Sequence, residues 1–405
     1  MAAEKNNKTL NVPNLRFPEF SGEWEKVQLS KIVTRVTRKN RNNESRLPLT
    51  ISAQHGLVDQ VTFFNKVVAS SDMSNYYLLH RGEFAYNKSY SGDYPWGAIK
   101  RLDRYDKGAL SSLYICFAPT DIVDSDFLVH YFESPKWHRE VSNIAGEGAR
   151  NHGLLNIAVP DFFNTQHCIT TNKAEQRKIA AFLNLINERI ETQKKIIEKY
   201  ESLIKGITDK VFHASNVDFL RSFEMLYKDA GEGGTPSTSN PQYYENGTIP
   251  FIKIDDLSQK YLVAHKDCIT QVGLRNSSAW LIPAGSVIYS NGATIGAISI
   301  NTYPVSTKQG ILGIVPNDSV CAEYLYYLMT SKYFRKQVHR IITEGTMKTA
   351  YLKDINKILC PVPNIDEQQR LAKSISSVTR KIETEKATLD AFILQKRYLL
   401  SHLFI

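Results

Sequence analysis

Two stretches of the chain carry apolar residues at a seven-residue spacing. In the first, Leu183, Ile190, Ile197, Ile204 and Val211 recur every seven positions, with Ile179, Ile186, Gln193, Tyr200 and Ile207 displaced from them by three or four. In the second, Ile375, Ile382, Leu389, Lys396 and Leu403 recur beside Leu371, Val378, Glu385, Phe392 and Leu399. A seam sustained over more than four heptads predicts a coiled-coil helix rather than a helix lying on a globular core. Residues 174–212 contain no proline and only Gly206, and residues 366–405 contain neither residue type. The first helix would extend about 58 Å at 1.5 Å per residue. A stripe this narrow buries little alone, so each helix is expected to pack antiparallel on the other. That packing would close the chain into a pseudo-twofold object with a globular part at each end.

The remaining sequence has a different rhythm. Short β-branched and aromatic runs, such as SSLYICFAPT and LLNIAVP before the first helix and GSVIYS and GILGIVP before the second, are separated by Gly, Pro, Asn and Asp turns. The chain therefore divides into a globular part at 1–173, a helix at 174–215, a second globular part at 216–365 and a helix at 366–405. The parts repeat. AEQRKIAAFLNLI from Ala174 answers DEQQRLAKSISSV from Asp366, which sets Glu175 on Glu367 and Gln176 on Gln368. DFLVHYFESPKWHREV from Asp126 likewise answers EYLYYLMTSKYFRKQV from Glu323. Self-similarity of this kind predicts a duplicated architecture. The fold class is α+β: two pseudo-repeated mixed α/β domains joined by two long antiparallel coiled-coil helices. Gln193 and Glu385 interrupt the two seams at equivalent places. They are either solvated residues inherited by both copies or a facing polar pair that fixes register.

Charge and candidate chemistry narrow the function. The net charge of +9 favours a polyanionic partner. Five scattered cysteines without a C-x-x-C pair argue against a disulfide framework or a structural zinc. The polar N-terminus does not read as a secretory signal, and no run of 18 apolar residues occurs, so a cytoplasmic location is expected. SNPQYY (239–244) differs from the N-P-P-[YF] motif of amino-methyltransferases at Gln242, and no F-x-G-x-G loop precedes it. GEGG (231–234) lacks the rest of a phosphate loop, and Asp255-Asp256 has no second acidic cluster at metal-binding spacing. No catalytic residue, metal site or cofactor is assigned to the chain. What stands out is seven polar loops with interleaved bases and aromatics, at 35–43, 86–101, 146–153, 233–240, 289–296, 306–310 and 344–351. Any one of them could be a solvated turn. Their recurrence at matched places in two copies favours phosphate and base-edge contacts. The candidate DNA contacts are Arg35, Arg38, Lys39, Asn87, Lys88, Tyr90, Arg150, His152, Thr235, Ser237, Asn291, Thr307, Lys308 and Lys348.

The chain resembles the specificity (S) subunits of type I restriction–modification systems. The resemblance rests on LRFPEFSGEWEKVQL (15–29), FIKIDDL (251–257), EGTMKTAYL (344–352), and EQRKI and EQQRL ahead of the two helices. It implies two target recognition domains, each followed by a conserved spacer helix, that read a bipartite double-stranded DNA target. It also implies two methyltransferase subunits as partners, with restriction/translocase subunits in a larger complex. S-adenosylmethionine, ATP and Mg are then expected on those partners and not on this chain. A coiled-coil scaffold with protein-binding end domains is the alternative.

Overall fold

A computed structural model describes residues 10–66, 69–146, 153–212, 220–292, 294–342 and 348–405. The chain forms two compact units, Met1–Lys194 with Ala387–Ile405 and Lys195–Lys386.

In the first unit, an antiparallel sheet runs in the order Val33–Arg35, Ile115–Pro119, Phe84–Asn87, Ala98–Arg101. A second sheet runs Gly56–Asp59, Pro48–Ser52, Lys107–Leu110, Tyr77–His80, with its middle pair parallel. A ribbon pairs Glu25–Gln28 with Gln166–Ile169. The aromatic residues of the first sheet explain its position. Phe84, Tyr86 and Phe117 are buried against Phe132, Trp137 and Phe162, where large rings exclude the most water.

The second unit repeats this plan internally. Its main sheet has the order Tyr227–Glu232, Ile311–Pro316, Val287–Ser290, Ile298–Asn301, with Tyr261–Leu262 added in parallel at the edge. Its smaller sheet, Asp267–Ile269, Ile249–Ile252, Ser306–Thr307, keeps the antiparallel-then-parallel pairing of the first unit. Leu220–Ser222 pairs with Leu359–Pro361 as the matching ribbon.

The long helices span Lys173–Val211 (39 residues) and Ile365–His402 (38 residues). Within the first unit, Ile179, Leu183, Ile186 and Ile190 share a core with Leu389, Phe392, Leu399 and Leu403. Within the second, Ile207 and Val211 pack with Leu371, Ala372 and Ile375, and Glu201 pairs with Lys386 at 2.8 Å. In both cases the start of one helix meets the end of the other, so they pack antiparallel along the predicted seams. Gln193 is buried in the first unit. Glu385 pairs with Lys381 on its own helix at 2.5 Å in the second.

The repeated Glu-Gln has a structural reason. Gln176 is fully buried; its Oε1 accepts from the Asp124 amide (2.6 Å), and its Nε2 donates to the carbonyls of Thr170 (2.7 Å) and Ile122 (3.3 Å). Gln368, equally buried, accepts from the Cys321 amide (3.0 Å) and donates to Pro363 (2.8 Å) and Ser319 (3.0 Å). Each glutamine thus satisfies backbone groups that burial would otherwise orphan. It joins a long helix to the loop entering the preceding short helix. The glutamates have diverged. Glu175 is buried in a double contact with Arg16 (2.7 and 2.9 Å) and accepts from Thr170 Oγ1, which docks the 15–29 segment; Glu367 pairs at the surface with Arg370.

Candidate nucleic-acid interface

Four of the predicted loops meet in the second unit, where the strand Val287–Ser290 ends. The Asn291 amide donates to the Gly310 carbonyl (3.1 Å), and its Nδ2 donates to the Ala350 carbonyl (3.2 Å). The Ala350 amide returns a bond to Asn291 (2.9 Å). The Gly233 amide donates to Ile311 (2.9 Å), and a Cβ on Gly233 would stand 2.1 Å from the Thr307 carbonyl oxygen, so only glycine allows that approach. The Gly310 amide donates to Glu232 Oε1 at 2.7 Å. Loops 233–240, 289–296 and 306–310 are thereby tied at one end of the sheet to residues 348–351; residues 344–347 of the fourth loop lie outside the described residues. Thr235, Ser237, Lys308 and Lys348 are exposed there. Ser237 also bonds Ser239 through their hydroxyls at 2.8 Å.

The first unit builds the same join with different residues. Tyr90 donates through its amide to Gly153 (3.0 Å), and the Leu155 amide donates to Lys88 (2.9 Å). Lys88 Nζ reaches the Ile157 carbonyl at 3.4 Å, and Asn87 Oδ1 accepts from the Ser89 amide at 2.9 Å. Loop 86–101 is therefore held to the segment that follows 147–152. Arg150 and His152 lie outside the described residues.

Several candidate contacts have other roles. Asn291 and Thr307 are wholly buried, and Thr307 Oγ1 donates to the Ile311 carbonyl at 3.2 Å. They hold the loops in place and present nothing at the surface, which corrects their assignment as contacts. Arg38 is bonded to the Glu83 carboxylate (2.8 and 2.9 Å). Lys39 donates to the Asn75 carbonyl (2.8 Å) and lies 4.3 Å from the centre of the Tyr77 ring. These two cations are already partnered, whereas Arg35 is exposed at the end of its strand.

The rejected chemistry has local explanations. Asn240 caps the turn Pro241–Tyr243 by accepting from the Gln242 amide, and Asp256 accepts from the Lys253 amide, both as loop closures. Among the described residues no group of three His, Cys, Asp or Glu side chains is placed to hold a metal, and no helix is long and apolar enough to cross a membrane. One basic element escaped sequence reasoning. The helix Lys332–Ile341 exposes Lys332, Arg335, Lys336, His339 and Arg340. Their spacing was visible in the sequence.

The repeated sheets, their tied loops and the heptad helices define a doubled fold in which one framework carries two different sets of loops. Residues 225–393 match the type I restriction modification DNA specificity domain. The chain is 32% identical over 165 residues to the type I restriction enzyme MjaIX specificity subunit of Methanocaldococcus jannaschii, covering 39% of this chain and 38% of that protein. It is 25% identical over 227 residues to the EcoR124I/EcoR124II specificity subunit of Escherichia coli, covering 50% of this chain and 55% of that protein. The matches thus span less than two thirds of either relative. The fold is similar to that of the type I restriction-modification S subunit from M. genitalium, with a TM-score of 0.54, 16% identity, and 97% and 99% of the two chains covered. The chain thus shares its fold with that S subunit, and the specificity-domain match lies within residues 225–393.

Proposed function

We propose that the chain is the non-catalytic, DNA-reading subunit of a type I restriction–modification complex. Each loop cluster reads one half of a bipartite double-stranded target. The chain recruits two modification subunits, which bind S-adenosylmethionine and methylate adenine; restriction subunits using ATP and Mg join a larger complex. The observation that carries this reading is the repeated join. In both units the end of the same strand holds the segment beyond an acidic-glycine run, while the exposed side chains around it differ. A framework held constant under changing polar loops is what two independent sequence readers need, since base edges are distinguished by the side chains presented to them. The basic balance supports the same partner. A cytoplasmic location accords with it.

The test is a segment exchange. Residues 217–364 are replaced by the equivalent segment of a relative, and methylated motifs are mapped in cells that also carry the modification subunit. One half of the motif should change and the other should persist. Alteration of both halves, or methylation independent of this chain, would refute the proposal.

A further inference from the structure

The basic helix Lys332–Ile341 carries information that the loop clusters do not. Its cations Lys332, Arg335, Lys336 and Arg340 occupy positions i, i+3, i+4 and i+8, with His339 between them at i+7, and all lie on one face at 3.6 residues per turn. Phe334 and Val338 are buried on the other face. The helix contains no Asp or Glu, and among the described residues none of the four cations pairs with a carboxylate. Like charges three and four residues apart work against helix formation, so this face is at odds with itself until an anionic partner covers it.

Its position indicates which partner. Phe334 packs on Tyr289 with ring centroids 6.4 Å apart, and Tyr289 directly precedes the Ser290–Asn291 end that ties the loop cluster together. The neighbouring groove adds Lys205, with Glu201 and Asp209 as its acids, and Glu201 already pairs with Lys386. In the first unit the equivalent helix, His138–Ile144, seats Trp137 against Tyr86 at 5.8 Å. There the residues matching Lys332, Arg335, Lys336, His339 and Arg340 are Pro135, His138, Arg139, Ser142 and Asn143, so Arg139 alone keeps a permanent positive charge on that face.

Resting on the DNA-reading function above, we propose that this helix is a sequence-independent phosphate track. It would give the second unit most of the electrostatic grip and leave the first to rely on its loops. An acidic protein segment would satisfy the same charges, but continuity with the loop cluster favours the DNA backbone.

The test uses the full chain and two fluorescent duplexes, one carrying the methylated motif recovered from cells and one lacking it. Anisotropy is followed across a salt series. Combining Lys332→Gln, Arg335→Gln and Lys336→Gln, all exposed, should lower the log–log salt slope by about 2–3, at about 0.9 per lost phosphate contact. Affinity should fall tenfold or more on both duplexes, with their ratio unchanged. Lys136→Gln with Arg139→Gln in the first unit should change the slope by about 1 or less. If the wild-type chain discriminates the duplexes but the triple variant keeps its slope, the track is wrong while DNA reading stands, and an acidic protein becomes the occupant to seek. A change in preference at one base pair would also overturn the track. If the wild-type chain has no salt-dependent affinity for either duplex, both readings fall.

Discussion

Replacing Gln368 by leucine keeps nearly the same side-chain volume and removes three hydrogen bonds from a fully buried site. The Cys321 amide would lose its side-chain acceptor, and an orphaned buried donor costs about 1–3 kcal/mol. The Ser319 and Pro363 carbonyls lose a donor each, a smaller cost because a carbonyl has two lone pairs and is less often fully satisfied. The expected destabilisation is about 2–4 kcal/mol, expressed where the second long helix begins. Gln176→Leu should cost a similar amount in the first unit, since it strips one amide and two carbonyls of the equivalent bonds. Glu367→Gln, next in sequence but at the surface, should leave the unfolding midpoint unchanged. Urea unfolding followed by circular dichroism gives the total, and amide hydrogen exchange at residues 319–321 and 122–124 localises it. If either leucine variant costs less than about 1 kcal/mol, the glutamines are inherited copies without a shared structural role.

Two further outcomes follow from other parts of the chain. Burial pushes His167 down to about 4, with Tyr131 and Thr165 hydroxyls 2.8 Å from its ring nitrogens. Because this lies below the unfolded value of about 6.5, its contribution is fully present above that pH and is lost as pH falls toward 4, about 3 kcal/mol in all. The difference in unfolding free energy between wild type and His167→Gln should therefore shrink from pH 7 to pH 4.5, and a pH-independent difference refutes the assignment. Inserting four residues near Gln193 lengthens the first long helix by about 6 Å, while one to two base pairs add about 3.4–6.8 Å. If the helices measure the gap between half-sites, methylome mapping should return a motif one or two base pairs longer; an active variant with the original gap shows that they do not. A matching insertion near Glu385 keeps the seams aligned if the single insertion is inactive.

The helices were legible almost residue by residue, because a heptad seam is a local pattern and burial follows it directly. The duplication was legible too, but not its purpose at Gln176 and Gln368. Two of the three partners of each stand 47 to 54 positions upstream, where no local spacing points. The loops could be recognised as polar without revealing which side chains turn inward. Asn291 and Thr307 look in sequence like surface residues, yet sheet pairing and the close approach at Gly233 place them inside. Arg38 and Lys39 read as free cations because Glu83 and Tyr77 come to them only through tertiary structure. The basic face of Lys332–Ile341 is present in the sequence as cations at i, i+3, i+4 and i+8, in a stretch that also reads as half of a repeat.

The first unit is assembled from two distant parts of the chain. Leu399, Leu400, Leu403 and Phe404 share its core with Trp24, Phe127 and Tyr131, and the Leu15 amide donates to the His402 carbonyl at 3.0 Å. During synthesis, residues 10–194 therefore emerge without the strip that seals them, and the whole of residues 195–386 is made before it arrives. The second unit, contiguous in sequence, can close its own core while the first still waits with those aromatic rings uncovered. The ribosome's order of production is thus the reverse of the order of completion, and the first unit spends the longer time exposed to aggregation and proteolysis.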